Sequence, residues 1–331
     1  MRLLIALGGN AIKRAEEKGT TKEQFRNCEQ TAKLIAQIVK KMEEDDRLIV
    51  THGNGPQVGN LMVQQDCAKD GDGIPAQRMD ILGAMTQGQI GYMIQQSLIN
   101  HLNDLRIKIP VCTVITQVIV NRNDPEFFGE NASKPVGNFF TEEEAKKLKG
   151  EHPDFIIKKV KPTNEKCWRR VVPSPVPVEH VECECIRRMV DSGIIVIASG
   201  GGGIPVILSK EHYRGYRGIE AVVDKDLAAE KLAEIVGVDT ILMLTNVERV
   251  KLNYGKKNEK EISEMTLTDA RKHLQEGQFL KGSMEPKVKA CIKFLERGGK
   301  LATIASLNRA VEAMEGNSGT RIVPDVLSIL S

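Results

Sequence analysis

The sequence predicts an α/β protein in which helices cover both faces of a mostly parallel β-sheet. Apolar runs rich in valine and isoleucine recur along the chain, and this composition is typical of strands that are buried on both faces. Amphipathic stretches lie between the runs, with apolar residues three or four positions apart. Strands that alternate with helices of about ten to twenty residues are typical of a parallel sheet of this kind.

The apolar runs give the predicted strands in order. They lie at residues 3–7, 48–51, 111–120, 194–198, 240–245 and 301–305. After the first run, Phe25, Ile35 and Met42 fall on one apolar face and predict a long helix. Val288 and Ile292 belong to a second helix of the same kind.

One segment departs from this alternation. Residues 121–173 are rich in charge, proline and glycine, with only short strand-like pieces, and we expect a lid or small subdomain that protrudes from the sheet. Inside it, a short helix is predicted to begin at Thr141, with Glu144 completing a capping box, and to end at Gly150.

Length and charge limit the class of protein. A chain of 331 residues is long enough for about two domains, or for one large sheet with lobes. It has 47 basic against 44 acidic residues and 4% aromatic residues, so no nucleic-acid partner is predicted. The apolar run before Gly8 is too short for a signal sequence or a membrane span, and a cytoplasmic protein without a membrane partner is expected.

The cysteines give no sign of a metal site. There are seven of them, an odd number, and they lack paired C-x-x-C spacing. Cys183 and Cys185 are two positions apart in a predicted helix, where their side chains diverge. We expect reduced thiols and predict no set of metal-ligating residues.

Three glycine clusters follow apolar runs, at residues 8–10, 53–55 and 200–203. Ligands of parallel sheets bind at the carboxyl ends of the strands, where these clusters are predicted to lie. Glycine allows main-chain N–H groups to approach phosphate oxygens, and a following helix adds a favourable dipole. Each cluster alone could be a tight turn between strand and helix. Three in equivalent places favour a phosphate site.

Three lysines are candidates for binding the phosphate. Lys225 stands beside Asp226 at a predicted helix start, Lys287 follows a Gly282-Ser283 turn in the first turn of the next helix, and Lys134 lies in the protruding segment. Taken singly, each lysine is more often a solvated side chain. The glycine clusters shift the balance towards a functional role.

Several common catalytic motifs are absent from the sequence, which excludes the reaction classes that depend on them. The sequence has no G-x-x-x-x-G-K-[ST] loop, no G-x-S-x-G elbow and no H-E-x-x-H pair. Phosphoryl transfer between two anions needs neutralised charge and no general base, so lysines suffice. Asp226 is expected to position the lysines, with magnesium coordination as the alternative. His52, beside the second cluster, receives no assigned role.

With these residues in view, the chain resembles the carbamate kinases of the amino-acid kinase superfamily. The resemblance spans nearly the whole chain through "LIALGGNAI", "THGNGPQVGNL", "TQGQIGYM", "SKPVGNFFTEEEA", "ASGGGGIPV", "VVDKDLAAEKLA" and "GSMEPKVKA". The "GGN" stretch marks only the superfamily, whereas "GNGPQVG" followed by "TQGQIGYM" is specific to carbamate kinases.

The resemblance implies a reversible, Mg²⁺-dependent transfer of a phosphoryl group between carbamoyl phosphate and ADP, which gives ATP and carbamate. ATP formation during breakdown of arginine or of purine derivatives is the expected setting, and the reverse flux is left open. The implied fold is an open three-layer αβα sandwich. Its acceptor-binding lobe would span residues 1–215, including the lid at 121–173, and its nucleotide-binding lobe residues 216–331. Members of the family are homodimers.

The resemblance also implies roles for individual residues. Lys134, Lys225 and Lys287 would be catalytic, with Asp226 organising them. Carbamate would meet Gly53 and Asn54. The residues implied to hold phosphate or nucleotide are Gly8, Gly9, Asn10, Gly201, Gly202, Gly282 and Ser283.

One stretch departs from the family pattern, and two other functions stay open. Asn138 and Phe140 replace the usual proline and tyrosine of the lid, which leaves lid details open. A kinase acting on a carboxylate such as N-acetylglutamate would be expected to need an arginine fork, and only Arg14 adjoins the glycine clusters. A non-catalytic nucleotide-binding protein is the third reading, against which the three intact lysines speak.

Overall fold

The computed structural model describes residues 1–71, 73–161, 165–209, 211 and 215–325, so the end of the predicted carboxyl-terminal lobe lies outside the described residues. The helices are α1 (Thr21–Lys41), α2 (Gly55–Gly71), α3 (Met79–Asp104), α4 (Glu142–Glu151), α5 (Cys183–Asp191), α6 (Lys225–Val236), α7 (Leu267–Gln275), α8 (Met284–Glu296) and α9 (Ala310–Met314). The strands are β1 (Arg2–Leu7), β2 (Arg47–His52), β3 (Val111–Thr113), β4 (Gln117–Val120), β5 (Lys134–Phe140), β6 (Ile156–Lys159), β7 (Trp168–Val172), β8 (Pro177–His180), β9 (Ile195–Ile197), β10 (Ile204–Ser209), β11 (Gly215–Gly218), β12 (Thr240–Thr245), β13 (Val250–Leu252), β14 (Lys260–Ile262), β15 (Glu264–Thr266), β16 (Leu301–Ser306) and β17 (Thr320–Val323).

An eight-stranded sheet forms the centre of the molecule, in the order β15-β17-β16-β12-β1-β2-β9-β3. Its neighbouring strands are parallel, apart from the antiparallel pair β16 and β17. The predicted α/β fold with a mostly parallel sheet is therefore confirmed. Strands from the earlier part of the chain (β1, β2, β9 and β3) form one side of this sheet, and strands from the later part (β12, β16, β17 and β15) form the other. The two sides meet at the middle, where β1 pairs with β12.

Helices cover both faces of the sheet, which makes three layers. Along β1, Leu3, Ile5 and Leu7 pack into a core with apolar residues of α1, α3 and α9. Leu4 and Ala6, on the other face, pack with α5, α6, α7 and α8. Because successive residues of a strand point to opposite faces, burial on both sides requires an unbroken apolar run. This requirement explains the sequence of β1.

The predicted strand at residues 111–120 is two strands in different sheets. β3 ends the central sheet, while β4 belongs to a second sheet ordered β11-β10-β4-β8. Between them, the buried Thr116 exchanges hydrogen bonds with the side chain of Gln87 on α3. Its N–H donates to Oε1 at 2.8 Å, and its carbonyl accepts from Nε2 at 3.1 Å. A side-chain amide thus replaces a strand partner where the chain changes sheets.

Helix α4 starts as predicted and ends later. The Thr141 side chain and Glu144 form a reciprocal capping box. The helix continues through Gly150 to Glu151, and the N–H of His152 still donates to the Leu148 carbonyl. The prediction that Gly150 ends the helix was wrong. Pro153 disfavours a helical conformation for the residue before it, which accounts for the end at His152.

The protruding segment contains a small sheet of its own, ordered β5-β7-β6, with antiparallel pairs and α4 packed beside it. The lid boundaries at 121–173 stay a prediction. So does the lobe division at residue 215, where β11 pairs with β10 of the preceding segment.

The seven cysteines are all free thiols. Within the part of the chain that the structure describes, no helix combines the length and the apolar character needed to cross a bilayer.

Candidate active site

The three glycine clusters meet at one edge of the central sheet. They follow β1, β2 and β9, which are neighbours in the sheet, so their carboxyl ends lie side by side. A Cβ added to Gly53 would lie 3.4 Å from the main-chain nitrogen of Gly9, and one added to Gly201 would lie 2.2 Å from Nδ2 of Asn54. Gly201 also has a φ of +66°, which favours glycine. Close approach and backbone conformation therefore both favour glycine here.

Some main-chain amides of these clusters donate to protein carbonyls, and others do not. Those of Gly8 and Gly53 extend the sheet, since they donate to the carbonyls of Leu244 and Leu7 at 3.0 Å. The Gly202 amide donates to Ser199. Among the described residues, the amides of Gly9, Asn10 and Gly201 donate to no protein acceptor, so they are free to bind an anion.

Asp226 joins two lysines from different helices. Lys225 donates to its Oδ1 at 2.6 Å, and Lys287, from the first turn of α8, donates to its Oδ2 at 2.9 Å. The carboxylate is only 3% exposed. Asp224 fixes this turn, because its side chain caps α6 by accepting from the amide of Asp226 at 2.9 Å. The predicted proximity of Lys225, Asp226 and Lys287 is thus found in the structure.

Electrostatics keep this cluster charged. Burial opposes ionisation of Asp226, but the ammonium groups of Lys225 and Lys287 lower its pKa to about 2. Burial likewise opposes the charge of Lys225, and the carboxylates of Asp226 and Asp224 outweigh it and raise the pKa of Lys225. Burial and repulsion from Lys225 lower the pKa of Lys287. Two cations and one anion leave a net positive charge at the edge of the sheet.

Lys134, the first residue of β5, extends from the protruding segment to the same place. Its Nζ donates to Oδ2 of Asp224 at 2.9 Å. A cleft of about 270 Å³ lies between the segment and the sheet. The predicted residues that line it are Gly9, Gly53, Asn54, Lys134, Gly201, Lys225, Asp226, Gly282 and Lys287. Gly8, Gly202 and Ser283 do not line this cleft, and Asn10 lines a neighbouring one.

The comparisons with known proteins agree with this geometry. The model of the amino acid kinase family matches residues 1–306. A carbamate kinase from Thermococcus kodakarensis is 52% identical over 322 residues, which are 97% of this chain and 99% of the relative. The chain belongs to the carbamate kinases of the amino acid kinase family. A further member, from Clostridium perfringens, is 44% identical over 98% of this chain and 100% of the relative.

Solved structures support the same family. Carbamate kinase from Giardia lamblia bound to AMP-PNP superposes with a TM-score of 0.88 at 38% identity, and the match covers 98% of both chains. N-acetylglutamate synthase from Neisseria gonorrhoeae, with a TM-score of 0.56 and 12% identity, shares only the fold. The predicted family is confirmed, and a kinase for N-acetylglutamate is not favoured. As a member of this kinase family, the protein uses a nucleotide and a small-molecule substrate.

His52 supports the glycine loops of this carbamate kinase family member. It is 1% exposed, and its Nδ1 lies 3.0 Å from the Gly53 carbonyl. A Cβ on Gly200 would fall 2.5 Å from its Nε2, so the ring packs tightly under the third cluster. Burial lowers the pKa of His52 to about 4, which keeps the ring neutral. These contacts fit a residue that positions two loops.

Sequence reasoning missed several residues that shape the site. Ser199 has a left-handed φ of 55°, and it is held by His180, whose Nε2 lies 2.9 Å from the Ser199 hydroxyl. Thr51 donates to the Ser199 carbonyl at 3.0 Å. Asp224 could have been found, because an aspartate directly before a predicted helix is a common N-cap. Nothing in the local sequence links Ser199 to His180.

Proposed function

We propose that the protein catalyses reversible phosphoryl transfer between carbamoyl phosphate and ADP, giving ATP and carbamate. One observation carries the proposal: two lysines from separate helices share the buried carboxylate of Asp226, beside main-chain amides that lack an acceptor. Such a site neutralises charge on a moving phosphoryl group and offers little else. Family membership supplies the substrate class.

Each residue has a role in the transfer. A β-phosphate oxygen of ADP attacks the phosphorus of carbamoyl phosphate, the bond from phosphorus to the carbamoyl oxygen breaks, and carbamate leaves. No proton has to move, because the attacking oxygen is already anionic. The amides of Gly9 and Gly201 would hold the phosphoryl oxygens, while Lys225 and Lys287 offset the charge that spreads over them in the transition state.

Asp226 would act as a positioning residue. Both of its oxygens accept from lysines, and the oxygens of Asp224 are likewise engaged, by the α6 amides and by Lys134. We therefore propose that Mg²⁺ enters as part of the nucleotide substrate, bound to its phosphates, which is the usual manner of Mg²⁺ at kinase sites. This role for Asp226 is favoured over direct coordination of the metal.

The two substrates would enter from different sides. Gly53 and Asn54, at the start of α2, would meet carbamate. Gly282 lines the cleft just before α8, and together with Ser283 it would contact the nucleotide phosphates at the helix N-terminus. On this proposal, carbamate binds to the acceptor lobe at residues 1–215 and the nucleotide to the lobe at residues 216–331.

We further propose that the protein is a homodimer. Ile81, Met85 and Tyr92 lie on one face of α3, and each is more than 40% exposed. A stripe of large apolar side chains in contact with water favours burial against a second copy. Sedimentation velocity on the wild type and on Met85→Glu tests this, with a shift towards monomer expected in the variant. A wild-type monomer would rule it out.

A coupled assay tests the catalytic proposal. The protein is mixed with carbamoyl phosphate, ADP and Mg²⁺, and ATP formation is followed through hexokinase and a dehydrogenase. In a parallel reaction, N-acetylglutamate and ATP replace carbamoyl phosphate and ADP, and ADP release is measured. ATP formation in the first reaction alone is expected. Absence of ATP formation, with the folded state verified by circular dichroism, would reject the proposal.

A further inference from the structure

Arg169, on β7 of the protruding segment, lines the cleft together with Lys134 and has no counterion there. Its Nη2 donates to the Gly137 carbonyl at 2.8 Å, and its guanidinium lies 4.7 Å from the centre of the Phe139 ring. Its Nε is buried and has no acceptor. Among the described residues, no carboxylate forms an ion pair with Arg169. The positive charge of Arg169 is therefore not neutralised by the protein, and the guanidinium is suited to an anionic ligand in the cleft.

The next residue, Arg170, differs from Arg169 because its charge is neutralised by a carboxylate. Arg170 faces another cavity, forms a 2.9 Å ion pair with Glu220, and stacks 3.7 Å from the centre of the Phe155 ring. Two adjacent arginines on one strand point to opposite faces, and only one of them is neutralised. The unpaired one is the arginine that lines the cleft.

The side chains that line the cleft carry a net positive charge, which favours binding of an anion. The cations are Lys134, Arg169, Lys225 and Lys287, and the carboxylates that pair with them are Asp224 and Asp226. The four cations therefore exceed the two carboxylates by two positive charges. A phosphate group bound through one oxygen carries a charge of about −1.5 to −2 at pH 7, which matches this surplus. Arginine keeps its charge even though burial lowers its pKa.

The position of Arg169 indicates which substrate it meets. Its partner Gly137 lies against α2, since a Cβ on Gly137 would be 3.7 Å from Cε of Met62. Helix α2 begins directly after Gly53 and Asn54, on the proposed carbamate side of the cleft. An arginine fork fits the paired oxygens of a carboxylate or a phosphate, whereas a lysine offers a point charge.

We propose that Arg169 binds the oxygens of carbamoyl phosphate, and of carbamate in the reverse direction, as a second cation of the protruding segment beside Lys134. This proposal rests on the proposed function. It predicts that loss of Arg169 weakens binding of carbamoyl phosphate and leaves binding of the nucleotide unchanged. A purely structural role, in which Arg169 only ties β7 to Gly137, would affect both substrates and the stability of the segment.

Steady-state kinetics of Arg169→Gln, with Arg170→Gln as the matched control, test the proposal. Glutamine can still donate to the Gly137 carbonyl, but it lacks the charge and the fork. We expect the KM for carbamoyl phosphate to rise about 10- to 100-fold, in line with loss of a hydrogen bond to a charged group, while the KM for Mg-ADP stays within about twofold. Arg170→Gln should leave both constants unchanged. Arg169→Lys should recover part of the loss, because charge returns without the fork.

Other outcomes would overturn the proposal. An unchanged KM for carbamoyl phosphate in Arg169→Gln, or an equal rise in both KM values together with a lower Tm, would leave Arg169 with a structural role only. If the glutamine variant does not fold, Arg169→Lys decides by the same comparison of KM values. A folded wild type without activity would instead reject the proposed function. Calorimetric titration of carbamoyl phosphate into wild type and variant would then decide on Arg169, since equal affinities contradict its role.

Discussion

Lys287, in the first turn of α8, donates a 2.9 Å hydrogen bond to Asp226, in the first turn of α6, 61 residues earlier in the chain. Lys225 occupies the other carboxylate oxygen. The amino-terminal end of a helix carries partial positive charge and therefore disfavours lysine. Two helices nevertheless place lysines there, around one aspartate. Asp226 offsets part of this positive charge, and an anion bound beside the cluster would offset the rest, as a phosphoryl-transfer site requires.

Replacing either lysine should abolish most of the activity. We expect Lys225→Ala or Lys287→Ala to lower turnover by about three orders of magnitude, because each removes a cation from the charge that develops in the transition state. Coupled ATP formation measures the loss, and circular dichroism shows whether the fold persists. Lys289→Ala is the control, since Lys289 lies exposed on α8 and pairs with Glu285. Near-normal turnover in both alanine variants would refute the assigned roles.

Removing the shared carboxylate should cost both stability and activity. Asp226→Asn leaves the buried Lys287 and the half-buried Lys225 without their shared anion, and loss of one member of a buried ion pair typically costs about 3–5 kcal/mol. Urea unfolding measures this loss. Asp191→Asn, which breaks an exposed pair with Arg2, should cost less than about 1 kcal/mol. Comparable losses for the two substitutions would show that the buried cluster contributes nothing special to the fold.

The third glycine cluster gives a test of close packing. Gly201→Ala combines a φ of +66° with a Cβ placed 2.2 Å from Nδ2 of Asn54, so it should displace Asn54 and abolish most activity. Gly237→Ala is a matched control, because Gly237 has a φ of +72° at the end of α6 and nothing within 4 Å of its Cβ position. The control should lose about 1 kcal/mol of stability and keep its activity. Equal activity in the two variants would contradict the packing argument.

Two buried histidines should make stability depend on pH. Burial lowers the pKa of His52 and His180 to about 4. In the unfolded chain each takes up a proton near pH 6.5, whereas the folded protein does so only near pH 4, so the free energy of unfolding should fall as the pH drops through this window. The expected slope is about 1.4 kcal/mol per pH unit for each histidine. Urea titrations at several pH values measure it, and His180→Gln should remove about half of the histidine contribution. An unchanged slope in that variant would contradict the assignment.

Much of the site could be predicted from the sequence because its signals are local. The glycine clusters follow the apolar runs that form β1, β2 and β9, and parallel strands bring their carboxyl ends to one edge. Helix starts at Lys225 and near Lys287 were also predicted, the second from the Gly282-Ser283 turn, although the N-cap Asp224 was missed. These signals, joined by the family motifs, predicted the α/β class and many residues of the cleft, among them Lys134, Lys225 and Lys287, but not Arg169.

The sequence by itself determined the alternation of strands and helices, the glycine clusters and the candidate lysines, since each depends on residues that are close together in the chain. Only the tertiary structure decided that residues 111–120 divide between two sheets at Thr116, that His180 holds Ser199, and that Arg169 lines the cleft while Arg170 is neutralised by Glu220. Each of these contacts joins residues far apart in sequence, or depends on which face of a twisted strand meets the cleft. Such pairings follow from packing of the whole chain and leave no periodic signal in the sequence.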